Sequence, residues 1–255
     1  MGVYAEQVLP RITNLVLGNA EFGRKFRARA CAGLMGDVVE LGFGSGLNLP
    51  YLPSEVTGIW TVEPSRVALQ LARSRIAAST APVHRGTLDG ARLDFPDDRF
   101  DAALSTMTLC TIPDVYGALA ELRRVLKPGA VFHFAEHGLA DDPKVVRRQR
   151  RFEPMQKRFA GGCHLARDIA TLVTAAGFEI TELDKQFMKG PKPWSYMYVG
   201  RARNPDLARG RAGLRERRVH LPHDDVRAVV ARGNVDRTGV GEPGRVTGSE
   251  QWSAR

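Results

Sequence analysis

Residues 38–46 read Val38-Val39-Glu40-Leu41-Gly42-Phe43-Gly44-Ser45-Gly46. This stretch decides the fold, because a short apolar strand ends in a carboxylate and opens into a turn rich in glycine. A second apolar run, residues 59–62, ends in another carboxylate, Glu63. Glycine lets a ligand approach the backbone, and a carboxylate at a strand tip accepts hydrogen bonds from ribose hydroxyls. The two segments therefore predict a nucleotide-type pocket at the carboxyl ends of adjacent parallel strands.

The spacing of the glycines indicates which nucleotide the pocket binds. A dinucleotide fold uses G-x-G-x-x-G/A, in which the third small residue packs the helix against the sheet and the helix start faces a pyrophosphate. Counted from Gly42, that third position is the large Leu47. Glu40 stands before the first glycine, where a negative charge suits an ammonium group better than a pyrophosphate. Adenosine with a cationic amino-acid tail is S-adenosylmethionine, so the pattern predicts this cofactor.

The order of the apolar runs predicts an α/β fold. Strands are expected at 38–41, 58–62, 83–84, 101–105, 130–135, 178–183 and 196–200. A loop and short helix are expected at about 45–52, and longer helices at about 66–78, 115–126 and 167–176. Ser65 and Asp114 are predicted N-caps, and Gly177 is a predicted C-cap. Residues 127–129, Lys-Pro-Gly, should end the helix before them. The pattern is typical of a doubly wound, seven-stranded, mostly parallel sheet with an antiparallel last strand.

We expect one domain and a tail. Residues 1–203 are predicted to form the α/β domain, with residues 1–36 as a helical cover over the pocket or one sheet edge. Residues 204–255 are dominated by Gly, Pro, Arg and Asp and show almost no apolar period. Such a composition is typical of a disordered tail.

Composition and charge restrict the partners. The chain has 255 residues and a formal net charge of +9, which is compatible with RNA, anionic lipid or no charged partner. No apolar run approaches the ~18 residues of a membrane span, and the N-terminus lacks a secretion signal, so a cytoplasmic protein is expected. Nucleic acid is disfavoured, because residues 108–111 read Thr-Leu-Cys-Thr where an Asn-Pro-Pro-aromatic motif would stand, and no Pro-Cys pair occurs.

The cysteines do not suggest a metal. Cys31, Cys110 and Cys163 are widely spaced, and no CxxC pair exists. This spacing indicates neither a zinc site nor a disulfide framework, so no metal site is predicted. Cys110 and Cys163 are interpreted as residues that line a pocket.

Several segments resemble those of the class I S-adenosylmethionine-dependent methyltransferases. They are the glycine turn, Val62-Glu63-Pro64-Ser65, Leu93-Asp94-Phe95-Pro96-Asp97-Asp98-Arg99-Phe100-Asp101 and Leu122-Arg123-Arg124-Val125-Leu126-Lys127-Pro128-Gly129. More narrowly, the segments 105–114, 136–137 and 161–168 resemble the methyltransferase-like alkyl thiol S-methyltransferases and their bacterial relatives. The resemblance covers roughly residues 8–202 and implies a Rossmann-like methyltransferase fold.

The resemblance implies roles for individual residues. Glu40 would hold the methionine ammonium of S-adenosylmethionine through a water, and Glu63 would bind the ribose. The other predicted cofactor contacts are Gly42, Gly44 and Gly46 under the amino-acid tail, Pro64 beside the adenine, Asp89 near the adenine amino group, and Phe43, Gly90 and Thr106.

Methyl transfer by in-line displacement to a small-molecule acceptor, most directly a thiol, is the activity that the resemblance implies. The cofactor carries the reactivity and the protein mainly aligns the reactants, so no dedicated catalytic residue is required. His137 and His164 are the candidate bases, because imidazole titrates in the useful range. A structural role for each histidine stays open.

Lipids and quinones, for example a phospholipid headgroup amine, form the alternative class of acceptor. Residues 144–158 carry seven Lys and Arg residues interleaved with Phe152 and Met155, and Phe159 follows. A basic segment with apolar side chains suits an amphipathic substrate or peripheral contact with an anionic membrane. A solvated helix face is the simpler interpretation and stays open.

Overall fold

The computed structural model describes residues 4–18, 21, 23–87 and 89–206. The strands are β1 (Gly36–Leu41), β2 (Val56–Val62), β3 (Val83–Arg85), β4 (Phe100–Thr106), β5 (Leu126–His137), β6 (Glu179–Phe187) and β7 (Tyr196–Arg203). They form one sheet in the order β3-β2-β1-β4-β5-β7-β6. The pairs from β3 to β5 are parallel, whereas β7 runs antiparallel to both β5 and β6. The predicted fold class is therefore confirmed.

The helices alternate with the first strands of this sheet. They are α1 (Leu9–Leu17), α2 (Ala28–Cys31), α3 (Arg66–Ala77), α4 (Val115–Val125), α5 (Pro143–Phe159) and α6 (Ile169–Ala175). π-Helical turns at Tyr4–Val8 and Gly23–Arg27 precede α1 and α2. The loop and short helix predicted at about 45–52 are a turn that leads into a 3-10 helix at Leu49–Tyr51. The positive φ of Gly46 is incompatible with a right-handed helix there.

Local capping agrees with the sequence in most places. The Ser65 side chain accepts a hydrogen bond from Ala68 N–H, and Asp114 accepts one from Gly117 N–H, so both predicted N-caps are confirmed. Gly177 follows α6 with φ +89°, as a C-cap glycine should. The helix α6 begins two residues later than predicted, because Asp168 is its N-cap.

Strand β5 begins four residues before its predicted start. Leu126 pairs with Phe100, and the next pair joins Val131 to Ala102, so the strand bulges between these two pairs. Pro128 lies in the bulge, where it has no ladder hydrogen bond to donate. The Lys-Pro-Gly run therefore ends α4 as predicted but does not delay the strand.

The central strands of the sheet are buried on both faces. Val39 and Leu41 enter one hydrophobic core, together with residues of α4 and α6. Val38 enters the other core, together with residues of α2 and α3. This alternation follows from the two-residue period of a strand. Because β1, β2, β4 and β5 run parallel, their carboxyl ends lie along one edge of the sheet.

The N-terminal segment lies against the glycine turn. Asn14 of α1 accepts hydrogen bonds from Ser45 Oγ at 2.7 Å and from Arg75 of α3 at 3.2 Å. Within the described ranges, no helix combines the length and the apolarity that crossing a membrane requires. The chain divides into the units Met1–Gly210 and Arg211–Arg255. From residue 207 onward, the predicted disordered tail lies outside the described residues.

Candidate active site

The three alternating glycines of the turn have different neighbours. Gly42, Gly44 and Gly46 have φ values of 67°, 58° and 72°, which glycine adopts without steric cost. A Cβ on Gly42 would lie 2.0 Å from Thr108 Oγ1, so a protein side chain already occupies that space. A Cβ on Gly44 would meet nothing closer than 3.8 Å. The open side of the turn, where a ligand can approach the backbone, is therefore at Gly44.

Glu63, at the end of β2, holds this turn with both carboxylate oxygens. Oε2 accepts a hydrogen bond from Gly44 N–H at 2.8 Å, and Oε1 accepts one from Ser65 N–H at 2.7 Å. Burial raises the pKa of Glu63, and these two N–H groups oppose the shift. Each carboxylate oxygen has a second lone pair. Glu63 can therefore accept hydrogen bonds from ribose hydroxyls while it fixes the turn.

Glu40, at the end of β1, is almost completely buried, with 1% of its surface exposed. Its Oε1 accepts a hydrogen bond from Asn48 Nδ2 at 2.6 Å, whereas Oε2 is buried without a hydrogen-bond partner among the described residues. Burial raises the pKa of Glu40 to about 8, and Asn48 and Arg27 oppose this rise. A buried unsatisfied acceptor costs about 1–3 kcal/mol. This arrangement suits a ligand that brings a donor to Oε2.

Sequence reasoning missed the two buried partners of Glu40. Arg27 donates to Asn48 Oδ1 at 2.7 Å and to Thr106 Oγ1 at 2.9 Å, and Asn48 Nδ2 also donates to Thr106 Oγ1 at 2.9 Å. Burial lowers the pKa of Arg27. Asn48 gave a weak signal as a polar residue two positions after Gly46. Arg27 gave none, since it comes from the N-terminal segment.

These features fit S-adenosylmethionine. The cofactor carries an ammonium group that Glu40 Oε2 can bind, and Glu63 has free lone pairs for its ribose. The space beside Gly44 lets the ligand lie against the backbone. Thr106, a predicted cofactor contact, belongs to the hydrogen-bond network that positions Glu40.

The other predicted contacts surround Glu63 or lie beneath the turn. Pro64 and Asp89 are exposed, and Gly90 is half-buried. The backbone N–H of Glu63 donates to Thr87 O at 3.3 Å, which places the loop that carries Asp89 and Gly90 beside the strand tip. Phe43 is 3% exposed, and its side chain enters the core below the turn. Direct contact of these residues with a cofactor stays a prediction.

The loop after β4 is organised by a buried acid of β5. Glu136 accepts hydrogen bonds from Ser105 Oγ at 2.6 Å and from Thr108 N–H at 2.8 Å. Burial raises its pKa to about 7. Met107 has φ +56°, a conformation uncommon outside glycine, and it turns the chain sharply after the strand. Glu136 thereby fixes the position of Thr108, the side chain that packs against Gly42.

Cys110, His137 and Cys163 form a compact cluster at the same sheet edge. Their ligand atoms, two Sγ and one ring nitrogen, lie within 4.8 Å of one another. The pKa of the Cys163 thiol is lowered, first by the adjacent Cys110 thiol and further by the imidazole of His137. The expectation of no metal site rested on spacing along the chain. That spacing was uninformative, because the three side chains come from three separate segments.

His164, the second candidate base, has a different environment. Its Nδ1 lies 3.3 Å from Glu153 Oε1, and its backbone N–H donates to Cys110 O at 2.7 Å. Partial burial lowers its pKa, and the positive charges of Arg167 and Lys157 add to the effect. The backbone of His164 thus borders the cluster, while its side chain pairs with Glu153 of α5. Catalytic roles for His137 and His164 stay predictions.

Comparison with known proteins identifies the family of the central segment. Residues 39–134 match the family described as "Methyltransferase domain". They run from β1 into β5 and include Glu40, the glycine turn and Glu63. This segment is similar to the methyltransferase domain family. The predicted resemblance to class I S-adenosylmethionine-dependent methyltransferases is therefore confirmed.

Curated relatives of the methyltransferase domain differ in their acceptors. The thiol S-methyltransferase TMT1B of Rattus norvegicus is 33% identical over 107 residues, which are 41% of this chain and 41% of the relative. The 2-phytyl-1,4-naphtoquinone methyltransferase of Synechococcus elongatus is 34% identical over 136 residues, 49% of this chain and 58% of the relative. The chain thus spans about half the length of the curated relatives it matches.

A solved structure has the same fold as the methyltransferase domain. It is the Haemonchus contortus "Phospholethanolamine N-methyltransferase 2" in complex with phosphomonomethylethanolamine and S-adenosylhomocysteine. The TM-score is 0.59 at 15% identity, over 77% of this chain and 57% of that one. At this identity the likeness shows the fold alone.

Proposed function

We propose that the protein transfers the methyl group of S-adenosylmethionine to a small-molecule acceptor, with a thiol as the first choice. One observation carries the proposal: the neighbouring strands β1 and β2 each end in a carboxylate, and that of Glu63 binds the glycine turn at Gly44. Glu40 keeps Oε2 without a partner among the described residues, and Glu63 keeps free lone pairs next to Gly44. The family match of residues 39–134 supports this assignment.

The residues of the chain would act mainly by alignment. When bound, S-adenosylmethionine supplies an activated methyl group, so a protein gains most by fixing the reactants in position. Glu40 would neutralise the ammonium, and Asn48 fixes the direction of its carboxylate. Glu63 would bind the ribose. Glu136 holds the loop after β4, which borders both the glycine turn and the cluster of Cys110, His137 and Cys163.

Two arguments favour a thiol as the acceptor. A thiol has a pKa near ~8.5 and needs little assistance to ionise, and a nearby positive charge favours the thiolate. One relative of the domain is named a thiol S-methyltransferase. Small-molecule partners, a cytoplasmic location and the absence of a nucleic-acid substrate all stay predictions.

The test is a transfer assay with S-adenosylmethionine labelled in the methyl group. Alkyl thiols, quinols and phospholipid vesicles are offered separately to the full chain, and labelled products are separated by chromatography. We expect labelled thioether as the main product. Label in the phospholipid headgroup alone would reverse the ranking of acceptors, and label in none of the three would contradict the proposed reaction.

The second candidate is a lipid or quinone acceptor, and an exposed amphipathic surface favours it. On α1, Leu15 is 79% exposed and Val16 is 61% exposed. Tyr4 donates a hydrogen bond to Phe159 O at 2.9 Å, so the start of the described chain contacts the end of α5. Helix α5 adds exposed apolar and basic side chains, namely Met155, Phe159, Lys144, Arg147, Arg148, Arg150, Arg151, Lys157 and Arg158. Such a surface suits contact with an anionic membrane.

Vesicle sedimentation tests this candidate. The full chain should sediment with phosphatidylglycerol vesicles at low salt and be released as salt increases, since screening weakens surface charge attraction. Leu15→Asp should reduce the bound fraction, whereas Thr174→Asp on α6 serves as a control for the added charge. Equal binding to neutral and anionic vesicles, or none to either, would contradict membrane contact.

A further inference from the structure

Three segments far apart in sequence bring two thiols and an imidazole together. Cys110 lies in the loop after β4, His137 ends β5, and Cys163 lies in the loop after α5. Their ligand atoms lie within 4.8 Å of one another. Cys110 and His137 are 1% and 2% exposed, and Cys163 is half-buried. The cluster is therefore enclosed on the side of the sheet and opens toward solvent only next to Cys163.

Hydrogen bonds to the backbone hold the loops of Cys110 and Cys163 together. His164 N–H donates to Cys110 O at 2.7 Å, which clamps the Cys163 loop onto the Cys110 loop. Arg167 donates to Leu109 O at 2.5 Å and to Ile112 O at 2.7 Å, on either side of Cys110. These hydrogen bonds thus hold the loop of Cys163 beside the loop of Cys110.

The environment of the His137 imidazole independently indicates a ligand in this cluster. Both of its ring nitrogens are buried, and neither makes a hydrogen bond within the described part of the chain. A buried imidazole normally has a partner for at least one nitrogen, because an unsatisfied polar group costs about 1–3 kcal/mol. Here the ring lies in a group whose other members are two thiols. A ligand that binds nitrogen and sulfur together would satisfy it.

We propose that Cys110, His137 and Cys163 bind a zinc ion. Thiolate and imidazole are the preferred ligands of Zn²⁺, at about 2.3 Å for sulfur and 2.0–2.1 Å for nitrogen, and a tetrahedron with such bonds separates its ligand atoms by roughly 3.3–3.8 Å. Starting from the observed limit of 4.8 Å, such a site requires a contraction of at most roughly 1.0–1.5 Å between ligand atoms. Two thiolates balance the charge of the ion, so no net charge is buried.

Three protein ligands leave the fourth tetrahedral position open, as in catalytic zinc sites. Cys163 marks the side of the cluster that reaches solvent, so a water or an acceptor thiol would occupy that position. The thiol part of this inference rests on the proposed function, whereas zinc binding itself does not. In this arrangement His137 is a metal ligand, and it is then unavailable as a general base.

Cobalt titration of the metal-free full chain tests the site without any turnover. The protein is purified with reductant under anaerobic conditions, stripped with a chelator and titrated with Co²⁺. We expect one equivalent to give thiolate-to-cobalt charge-transfer absorption and the visible bands of tetrahedral cobalt, both removed by Zn²⁺. Cys110→Ala, Cys163→Ala and His137→Asn should each weaken zinc binding by more than about 100-fold, the upper end of what loss of an outer partner costs.

Two matched control variants show whether a loss of metal binding is specific to the three proposed ligands. Cys31→Ala removes the third cysteine, which is buried near Asn48, and His164→Asn removes a histidine whose ring pairs with Glu153. Both should keep the cobalt spectrum. Should the ligand variants fail to fold, the wild-type chain gives a second readout, because zinc should protect the half-buried Cys163 from iodoacetamide in a mass-spectrometric footprint.

Several results would overturn the zinc site. They are a cobalt spectrum without thiolate charge transfer, or an equal loss of metal binding in Cys31→Ala. Calorimetry with S-adenosylmethionine on the metal-free chain separates the two proposals. Cofactor binding without any metal binding would reject the zinc site alone, and metal binding without cofactor binding would reject the proposed function alone.

Discussion

The side chain of Thr108 occupies the space that a Cβ on Gly42 would fill, with Oγ1 only 2.0 Å from that position. Thr108 is itself held by its backbone N–H, which donates to Glu136 at 2.8 Å. The first glycine of the turn is thus required by a protein neighbour, whereas the second, Gly44, has open space beside it. This difference separates the structural role of one glycine from the binding role of the other.

Alanine at these two glycines should therefore have different effects. Gly44→Ala meets only the cost of a left-handed backbone, about 1–2 kcal/mol, and should lower cofactor affinity by filling the open side of the turn. Gly42→Ala adds a clash with Thr108 and should cost about 1–3 kcal/mol more in the free energy of unfolding. Urea denaturation and calorimetry measure both quantities. Equal destabilisation by the two variants would contradict the packing of Thr108 against Gly42.

Loss of the Glu63 carboxylate should weaken cofactor binding strongly. Glu63→Ala removes the acceptor for Gly44 N–H and for the ribose, and we expect the Kd for S-adenosylmethionine to rise at least tenfold, about 1.4 kcal/mol. Glu55→Ala, an exposed acid just before β2, is the matched control and should bind normally. Normal binding by Glu63→Ala would invalidate the site assignment.

The raised pKa of Glu40 predicts a pH dependence. With a pKa of about 8, Glu40 is protonated at pH 7 in the free protein, and binding of an ammonium favours the carboxylate. Cofactor binding at pH 7 should therefore release a proton. Affinity should increase by up to about tenfold per pH unit from pH 6 towards 8, then fall as the ligand's α-amino group, with a pKa near ~7.7–8.0, loses its charge.

The stability of the free protein should fall with rising pH, whereas cofactor affinity rises from pH 6 towards 8. The folded protein raises the pKa of Glu40 above its ordinary value of 4.5, so it favours the protonated acid. Protonated Glu40 therefore contributes to the free energy of unfolding at low pH, and this contribution is lost as pH rises from 4.5 through about 8. Glu40→Gln should flatten both profiles. Calorimetry in buffers of different ionisation enthalpy measures proton release, and equal heats in all buffers for the wild type would refute this role of Glu40.

Asn48 links Glu40 to Arg27, so its loss should affect both stability and affinity. Asn48→Ala removes hydrogen bonds to a buried carboxylate and a buried guanidinium, and we expect about 2–3 kcal/mol of destabilisation. Gln186→Ala is the control, because its side-chain bond to Asp184 is partly exposed. Its cost should be below about 0.5 kcal/mol. Similar unfolding midpoints for the two variants would argue against the buried network.

Most of the fold followed from local patterns in the sequence. Apolar runs separated by helical periods placed all seven strands, and Ser65 and Asp114 marked helix starts correctly. Two details escaped. Strand β5 begins earlier than predicted, because a bulge accommodates Pro128, and α6 begins later than predicted, because Asp168 is its N-cap.

Some residues of the candidate site could also be predicted from the sequence, and others could not. Glu40, the glycines and Glu63 are close in sequence to the strands that position them. Their spacing along the chain therefore predicted that they form one pocket. Arg27 enters from the N-terminal segment, and the cluster of Cys110, His137 and Cys163 is assembled from three loops. Contacts of that kind depend on the tertiary fold, and no local pattern encodes them.

Direct binding of the cofactor tests the central claim. Isothermal titration of the full chain with S-adenosylmethionine, and separately with S-adenosylhomocysteine, should show saturable uptake of one ligand per chain. The two ligands should compete, since both present the same ammonium and ribose to Glu40 and Glu63. Absence of binding for both ligands, in protein whose circular dichroism shows it to be folded, would contradict the account.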